Sequence, residues 1–467
     1  MSAPGQPHAP PAALAARRSG VLLHPTALPG AAGALGASAR VLIDWLAAAG
    51  FTLWQVLPLG PVGTAGSPYW VRSDMAGNTA LIDRNEVPER AHERADFERF
   101  CHTNAHWLED YALFEALAGE HAGAPWWDWP AALRDREPAA LVQARAALAA
   151  ALDHERHEQW IFARQWAQLR AHAKARGVLL FGDLPIYVAP DSVATWSQPE
   201  QFELSGEGRP AALAGVPPDY FAEDGQLWGN PLYRWAQAER DGFAFWRARL
   251  AAQIRRFDLV RIDHFRGLAG YWSVPAGATT AREGHWRLAP GHELLRVLER
   301  DLHGLPLVAE DLGVITPDVT ELRERFGLPG MRVLQFGFDG QASNPHLPHN
   351  LVRNELVYTG THDNDTTLGW YRSLDAESEA RVNLYLGCSS EEMPMGLVRA
   401  ALASVAQLAI VPVQDLLALG SEARFNIPGT AHGNWQWRLA PGALDEALAR
   451  RYRSLNQLYG RHSAEGQ

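Results

Sequence analysis

Short apolar runs bounded by turn residues recur along the chain, each followed by a polar or helix-patterned stretch. They fall at residues 21–24, 52–59, 178–186, 259–265, 307–313, 331–336, 356–363 and 409–416. Between several of them the period lengthens to that of a helix. Trp246, Leu250, Ile254 and Phe257 share one helical face just ahead of the fourth run. Strand and helix in alternation predict a parallel sheet, and eight strands predict an α/β fold closed as a (β/α)8 TIM barrel. An open doubly wound sheet has the same alternation. No GxGxxG or Walker loop follows the first run, which removes the usual reason to prefer it.

Two connections are too long for simple βα loops. Residues 85–176 are rich in Ala, Glu and Arg and carry Phe162, Trp166 and Leu169 at helical spacing, which predicts an inserted helical subdomain acting as a buttress. Residues 188–240 are rich in Pro, Gly and aromatics and predict a loop-rich cover over the barrel mouth. The Pro/Ala-biased residues 1–18 have no apolar signal-peptide core and read as a disordered tail, leaving 19–467 as the catalytic barrel.

Composition narrows the partners. A formal charge of -11 repels phosphate backbones and anionic membranes, so neither nucleic acid nor membrane is expected as a partner. The most apolar late stretch, 401–420, is broken by Gln407, Pro412, Gln414 and Asp415 and cannot span a bilayer. The two cysteines, Cys101 and Cys388, form no CxxC pair and are expected as buried, reduced thiols. A cytoplasmic protein without metal or organic cofactor is the expectation. The 18 Trp exceed normal usage, and Trp70, Trp228 and Trp435 sit among Gly, Pro and Asn rather than in helical patterns. Such aromatics fill a large core or stack on the apolar faces of sugar rings.

Candidate chemistry gathers at strand ends. In the fourth run Val260 and Ile262 would face the surrounding helices, which turns Arg261 and Asp263 together toward the barrel axis. A structural ion pair is the bland account of those two charges. The fifth run ends in Glu310 and Asp311, and the seventh in His362, Asp363, Asn364 and Asp365, so three strands deliver carboxylates to one rim. Asp365 alone would serve as a helix N-cap. A calcium loop is the other bland account, but its DxDxDG spacing and distal Glu are missing. Carboxylates converging among loop aromatics suit glycosidic-bond chemistry, in which one carboxylate attacks the anomeric carbon while a protonated one donates to the leaving oxygen. This leaves a carbohydrate-active barrel with its reaction unnamed.

Four segments in order, 182–188 (GDLPIYV), 261–267 (RIDHFRG), 309–313 (AEDLG) and 361–366 (THDNDT), resemble the signature regions of the amylomaltases, the 4-alpha-glucanotransferases of glycoside hydrolase family 77. The segments 217–221 (PPDYF), 227–231 (LWGNP), 425–430 (FNIPGT) and 433–438 (GNWQWR) are also similar to that family, so the likeness runs from residue 20 to about 438. The resemblance implies transfer of α-1,4-glucan segments between maltooligosaccharides by double displacement. It implies Asp263 as nucleophile, Glu310 as acid/base and Asp363 as the carboxylate that orients sugar hydroxyls. It further implies that Arg261 aims Asp263, that His362 and Asp183 bind hydroxyls of the same sugar, and that Tyr69 stacks beneath it. Tyr220, Phe221, Gln226 and Trp228 resemble a loop arching over the cleft, and Asn426 a support of the rim. A hydrolase of maltooligosaccharides, or a non-catalytic glucan-binding protein, would share much of this set. The chain departs from the family around Tyr69, with Trp70, Arg72, Asp74 and Thr79 in unexpected places. Arg72 and Asp74 are expected to bear on glucan length preference and on the balance of transfer to hydrolysis.

Overall fold

The computed structural model describes residues 11–30, 34–63, 66–89, 93–218, 223–430 and 432–462. Twelve strands are present: β1 (Arg18–Leu22), β2 (Leu53–Gln55), β3 (Leu179–Leu184), β4 (Ala212–Val216), β5 (Gln226–Pro231), β6 (Leu259–Ile262), β7 (Gly270–Pro275), β8 (His285–Leu288), β9 (Leu307–Ala309), β10 (Gly330–Val333), β11 (Glu355–Tyr358) and β12 (Leu408–Pro412). Eight of them form one sheet in the order β10-β11-β12-β1-β2-β3-β6-β9, with every pair parallel. The Ala309 N–H donates to the Pro329 carbonyl at 2.9 Å, bringing β9 against β10 and closing the ring. Each of the eight apolar runs contains or overlaps one of these strands. The (β/α)8 TIM barrel follows from burial on both faces, which makes such strands read as continuous apolar runs.

The runs overshoot at their C-terminal ends. The fourth stops as a strand at Ile262 and the seventh at Tyr358, and the polar residues beyond them are the loops of the barrel mouth. Helix Ala244–Arg256 buries Trp246 and Leu250 against the barrel, and Phe257, one residue past its end, is also buried.

The chain is ordered earlier than the composition of its N-terminus predicts. Residues 1–10 lie outside the described part, but Ala12–Leu14 form a 3-10 turn, Ala13 and Leu14 are buried, and Gln407 donates to the Leu14 carbonyl. Arg17 donates to the Ser404 carbonyl at 2.7 Å. The expected disordered tail therefore does not include residues 12–18, because two buried apolar side chains and backbone-directed hydrogen bonds anchor this segment.

Within 85–176 the long helices Arg94–Glu120 and Ala149–Ala175 lie side by side. Phe162, Trp166 and Leu169 are buried on the second of them, facing the barrel core. Leu108, Phe114, Trp129 and Leu152 of the insert form a separate apolar cluster with Trp196 of the following segment. Residues 188–240 are more regular than their Pro/Gly content suggests. They supply β4 and β5, which join β7 and β8 in an antiparallel sheet of order β5-β4-β7-β8. Half of that sheet comes from 270–288, after the fourth barrel strand, so no local pattern within 188–240 discloses it. Cys101 and Cys388 are only half-buried, a correction to the expectation of burial. No helix among the described residues is long and apolar enough to cross a membrane.

Candidate active site

The C-terminal ends of β3, β6, β9 and β11 bring the charged strand-end residues together. Asp183 lies inside β3, paired in register with Arg261 on β6, so their side chains share a face. Arg261 reaches across with Nη1 at 2.8 Å from both carboxylate oxygens of Asp183, while its Nη2 lies 2.7 Å from Asp263 Oδ1. Val260 and Ile262, the alternate positions, are buried in apolar core. The inward pair predicted from strand alternation is present, with Asp183 as its third member.

Tyr69 joins this group from the loop after β2. Its hydroxyl donates to Asp183 Oδ2 at 2.6 Å, and its ring lies parallel to that of His362, with centroids 5.1 Å apart and planes 13° from parallel. Burial pushes the Asp183 carboxyl upward, and the Arg261 guanidinium pulls it back. His362 in turn sits 3.3 Å from Asp363 through Nε2. Asn426 Nδ2 donates to Asp363 Oδ1 at 2.6 Å, so the residue expected as a support of the rim directly holds a rim carboxylate.

Glu310 stands in a different environment from Asp263. It follows β9 directly, is 9 % exposed, and makes no ion pair among the described residues. Its two oxygens accept the backbone N–H groups of His264 at 2.7 Å and Leu312 at 2.9 Å. His264 adopts a left-handed backbone (φ 49°, ψ 49°), the turn that aims its N–H back at Glu310 immediately after Asp263. Burial pushes the Glu310 carboxyl up to about 7; Arg261 opposes this and Asp263 adds to it. Asp263 is 28 % exposed at its side chain and is held by a guanidinium. Two carboxylates on neighbouring strands are thereby given opposite surroundings, one buried and proton-retaining, one accessible and cation-paired.

Over this centre, Trp228 of β5 meets the His264 ring edge-on at 4.7 Å, and its indole N–H donates to Gln226 Oε1 at 3.0 Å. Burial holds His264 down at about 4, so it packs as a neutral ring. Tyr220 and Phe221 lie outside the described residues.

Several contributors are not among the candidate site residues, although Trp435 stands out in the sequence as a loop aromatic. Arg424 donates to the Asp363 carbonyl at 2.7 Å and to the Asn426 carbonyl at 2.8 Å, tying the 424–426 segment to the rim. Trp435 lies 6.3 Å from Tyr69 and 6.1 Å from His362. Its Gly-Asn-Trp context and positive φ of 64° mark a loop aromatic held by its backbone. Asp415, three residues past β12, is fully buried and accepts from Thr359 and Thr367 on either side of the His362–Asp363 loop. Asp365 is not the N-cap of the following helix. Thr366 caps it by accepting from Gly369 N–H, while Asp365 accepts from Thr366 N–H at 2.7 Å and from Ser421 at 2.6 Å.

Arg72 and Asp74 do not enter the site. Arg72 pairs with Glu115 at 3.0 Å and lies over the Phe114 ring, and Asp74 pairs with buried Arg249 at 2.6 Å. Both staple the Tyr69 loop to neighbouring helices. No cluster of three or more His, Cys, Asp or Glu able to hold a metal ion occurs among the described residues.

The family model for 4-alpha-glucanotransferases of glycoside hydrolase family 77 matches residues 23–93 and 84–444. A 4-alpha-glucanotransferase of Thermus thermophilus is 48 % identical over 489 aligned positions, covering 94 % of this chain and 98 % of that protein. One from Synechocystis is 44 % identical over 495, covering 95 % and 98 %. The amylomaltase of Streptococcus agalactiae, solved with acarbose, superposes with a TM-score of 0.90 at 33 % identity, covering 96 % of this chain and all of that one.

Proposed function

The chain belongs to glycoside hydrolase family 77, the 4-alpha-glucanotransferases, and on that premise we propose how its own residues carry out the transfer. It moves segments of α-1,4-glucan from a donor to the 4-hydroxyl of an acceptor glucan or glucose. The observation that carries the assignment of roles is the contrast between Asp263 and Glu310.

Asp263 attacks the anomeric carbon of the donor sugar, and Arg261 aims it and offsets its charge. Glu310, holding a proton near neutral pH, gives that proton to the glycosidic oxygen as the bond breaks, releasing the reducing-end fragment. A glucosyl ester on Asp263 and an ionised Glu310 remain. The acceptor hydroxyl then gives its proton to Glu310 as its oxygen attacks the anomeric carbon, which frees Asp263. Asp363, fixed by Asn426 and beside His362, binds adjacent hydroxyls of the transferred sugar, and its charge favours the cationic transition state. Tyr69, in parallel contact with His362, supplies an aromatic face, and Asp183 a hydroxyl acceptor.

The 85–176 helices buttress the barrel, and the 188–240 segment, through Gln226 and Trp228, covers its mouth and limits water around the ester. Maltooligosaccharides are the substrates this arrangement suits, because neutral sugar rings match aromatic faces beside hydroxyl-binding carboxylates. Two half-buried cysteines with no CxxC pair fit a reducing cytoplasm.

The test is incubation of the purified protein with maltotriose beside an Asp263→Asn variant. Glucose appearing with a ladder of longer glucans, absent in the variant, is the expected result. Glucose and maltose without a ladder would make the chain a hydrolase, and unimpaired turnover in the variant would remove Asp263 from the role of nucleophile.

A further inference from the structure

An open cavity of about 640 Å³ lies away from the catalytic rim. It is a cleft among helices Arg94–Glu120, Ala149–Ala175 and Ala244–Arg256, and it reaches Leu179 and Asp258 at the N-terminal ends of β3 and β6. The catalytic residues occupy the opposite ends of those strands. Its volume is that of a small-molecule site.

Aromatic side chains line part of it: Phe100 and Trp107 from the first helix, Phe162 and Trp166 from the second. Trp107 is half-buried, and its indole N–H is satisfied by Asn104 Oδ1 at 3.0 Å, which holds the ring in place. The rest of the lining is cationic: Arg170 and Lys174 continue the helix face that carries Phe162 and Trp166, and Arg255 and Arg256 come from the third helix, against one carboxylate, Asp258. That carboxylate is already occupied, by Arg170 at 2.8 Å through one oxygen and by the Leu180 N–H at 2.9 Å through the other. Among the described residues the Arg256 side chain hydrogen-bonds only to the carbonyls of Asp74 and Met75 and lies over the Phe162 ring, and the Asp74 carboxylate is taken by Arg249. Neither Lys174 nor Arg255 makes a salt bridge among the described residues.

Three cations without a salt bridge among the described residues thus share one cavity in a chain whose formal charge is -11. Burial pushes the Arg256 guanidinium down to about 10, with Arg255 adding to the effect, so an anion in the cavity would relieve the cost of keeping it charged. A neutral glucan would gain nothing from those charges. Guanidinium and ammonium groups in one cavity with a fixed indole suit a ligand that carries both a phosphate and a flat or ring-shaped body.

We propose that this cavity is a binding site for a small phosphate-bearing metabolite, its phosphate on Lys174, Arg255 and Arg256 and its ring on Trp107. A phosphorylated sugar and a nucleotide share this chemistry, and the experiment separates them.

Intrinsic tryptophan fluorescence and calorimetry would be followed while glucose 1-phosphate, ATP or inorganic phosphate is titrated into the full-length protein. At least one ring-bearing phosphate should bind with a Kd below about 1 mM and weaken as salt rises. The surface double variant Lys174→Glu/Arg255→Glu should weaken it by at least about tenfold, while maltotriose disproportionation without added phosphate stays at the wild-type rate. Trp107→Ala should reduce the ring-bearing ligand to the affinity of inorganic phosphate. Stronger binding of glucose 1-phosphate than of ATP would identify the sugar, and the reverse the nucleotide. Failure of all three to bind, binding unaffected by charge reversal, or saturation of the same fluorescence change by maltohexaose would each overturn the proposal.

Discussion

Arg261 meets Asp263 at 2.7 Å through one guanidinium nitrogen while the other bridges both oxygens of Asp183. One side chain therefore spaces two carboxylates on adjacent strands, which only a planar fork can do. Arg261→Lys keeps a charge but reaches one partner at a time. We expect it to fold and to lose about 10²–10³-fold in kcat with little change in KM, because the nucleophile is misaimed rather than the glucan unbound. Arg261→Ala leaves Asp183 buried without a cation and should cost ~3–5 kcal/mol of stability. Steady-state kinetics on maltotriose and thermal melts check both. A lysine variant with wild-type kcat would remove Arg261 from the machinery.

The raised Glu310 carboxyl gives two pH dependences. In the first chemical step the protonated form is the active one, so kcat/KM should fall as pH rises through about 7. For stability, a carboxyl at about 7 in the folded chain against an ordinary 4.5 binds its proton more tightly folded than unfolded. Its contribution, ~3 kcal/mol, is present below about pH 4.5 and is lost as pH rises through about 7. Glu310→Gln carries no titrating proton. Its Tm relative to wild type should therefore climb between about pH 5 and pH 8, while its activity is lost throughout. A constant Tm difference across that range would contradict the buried, protonated acid.

What can be read in the sequence divides along physical lines. Barrel strands buried on both faces announce themselves as apolar runs, and strand alternation alone places Arg261 and Asp263 on one face, where they form an ion pair. The roles of Asp183, Tyr69 and His362 come from the likeness to a family, and these residues are joined by a hydrogen bond and a parallel ring contact. The sheet of β4, β5, β7 and β8 is illegible in the sequence, because its two halves come from segments on either side of β6. Arg424 and Asp415 escape for a related reason. Their partners stand 61 and about 50 residues away, and no local pattern marks a buried carboxylate that serves two threonines.

Asp74 illustrates a charge misjudged from its neighbours. Five residues from Tyr69, it reads as an influence on the cleft, yet it is 8 % exposed at its side chain and pairs with Arg249, itself 2 % exposed. Arg249 also donates to the Ile186 carbonyl and the Tyr233 hydroxyl, so the pair ties the Tyr69 loop to the segment after β3. Asp74→Ala should destabilise by ~3–5 kcal/mol through the unpaired guanidinium left behind. The distribution of maltooligosaccharide lengths should not change at temperatures where the variant is folded. Altered product lengths with an unchanged melting temperature would instead return Asp74 to the cleft.

Asp415 makes a sharper claim about distance. Thr359 directly follows β11 and donates to Asp415 Oδ2 at 2.6 Å; Thr367, which opens the next helix, donates its N–H at 2.7 Å and its hydroxyl at 2.6 Å. The loop between these threonines carries His362 and Asp363, so one buried carboxylate holds both of its ends. An asparagine in its place can accept at one oxygen only, and its amide nitrogen would face a donor. Asp415→Asn should orphan at least one of the three donors at ~1–3 kcal/mol and let the loop drift. Loss of placement at Asp363 should lower kcat/KM for maltotriose by about 10–100-fold, with the break in the pH profile staying near that of Glu310. The comparison that decides is rate against melting temperature. A variant that melts earlier but turns over normally below its transition would reduce Asp415 to a structural bond, whereas a rate loss at temperatures well below the melt makes it a positioning residue.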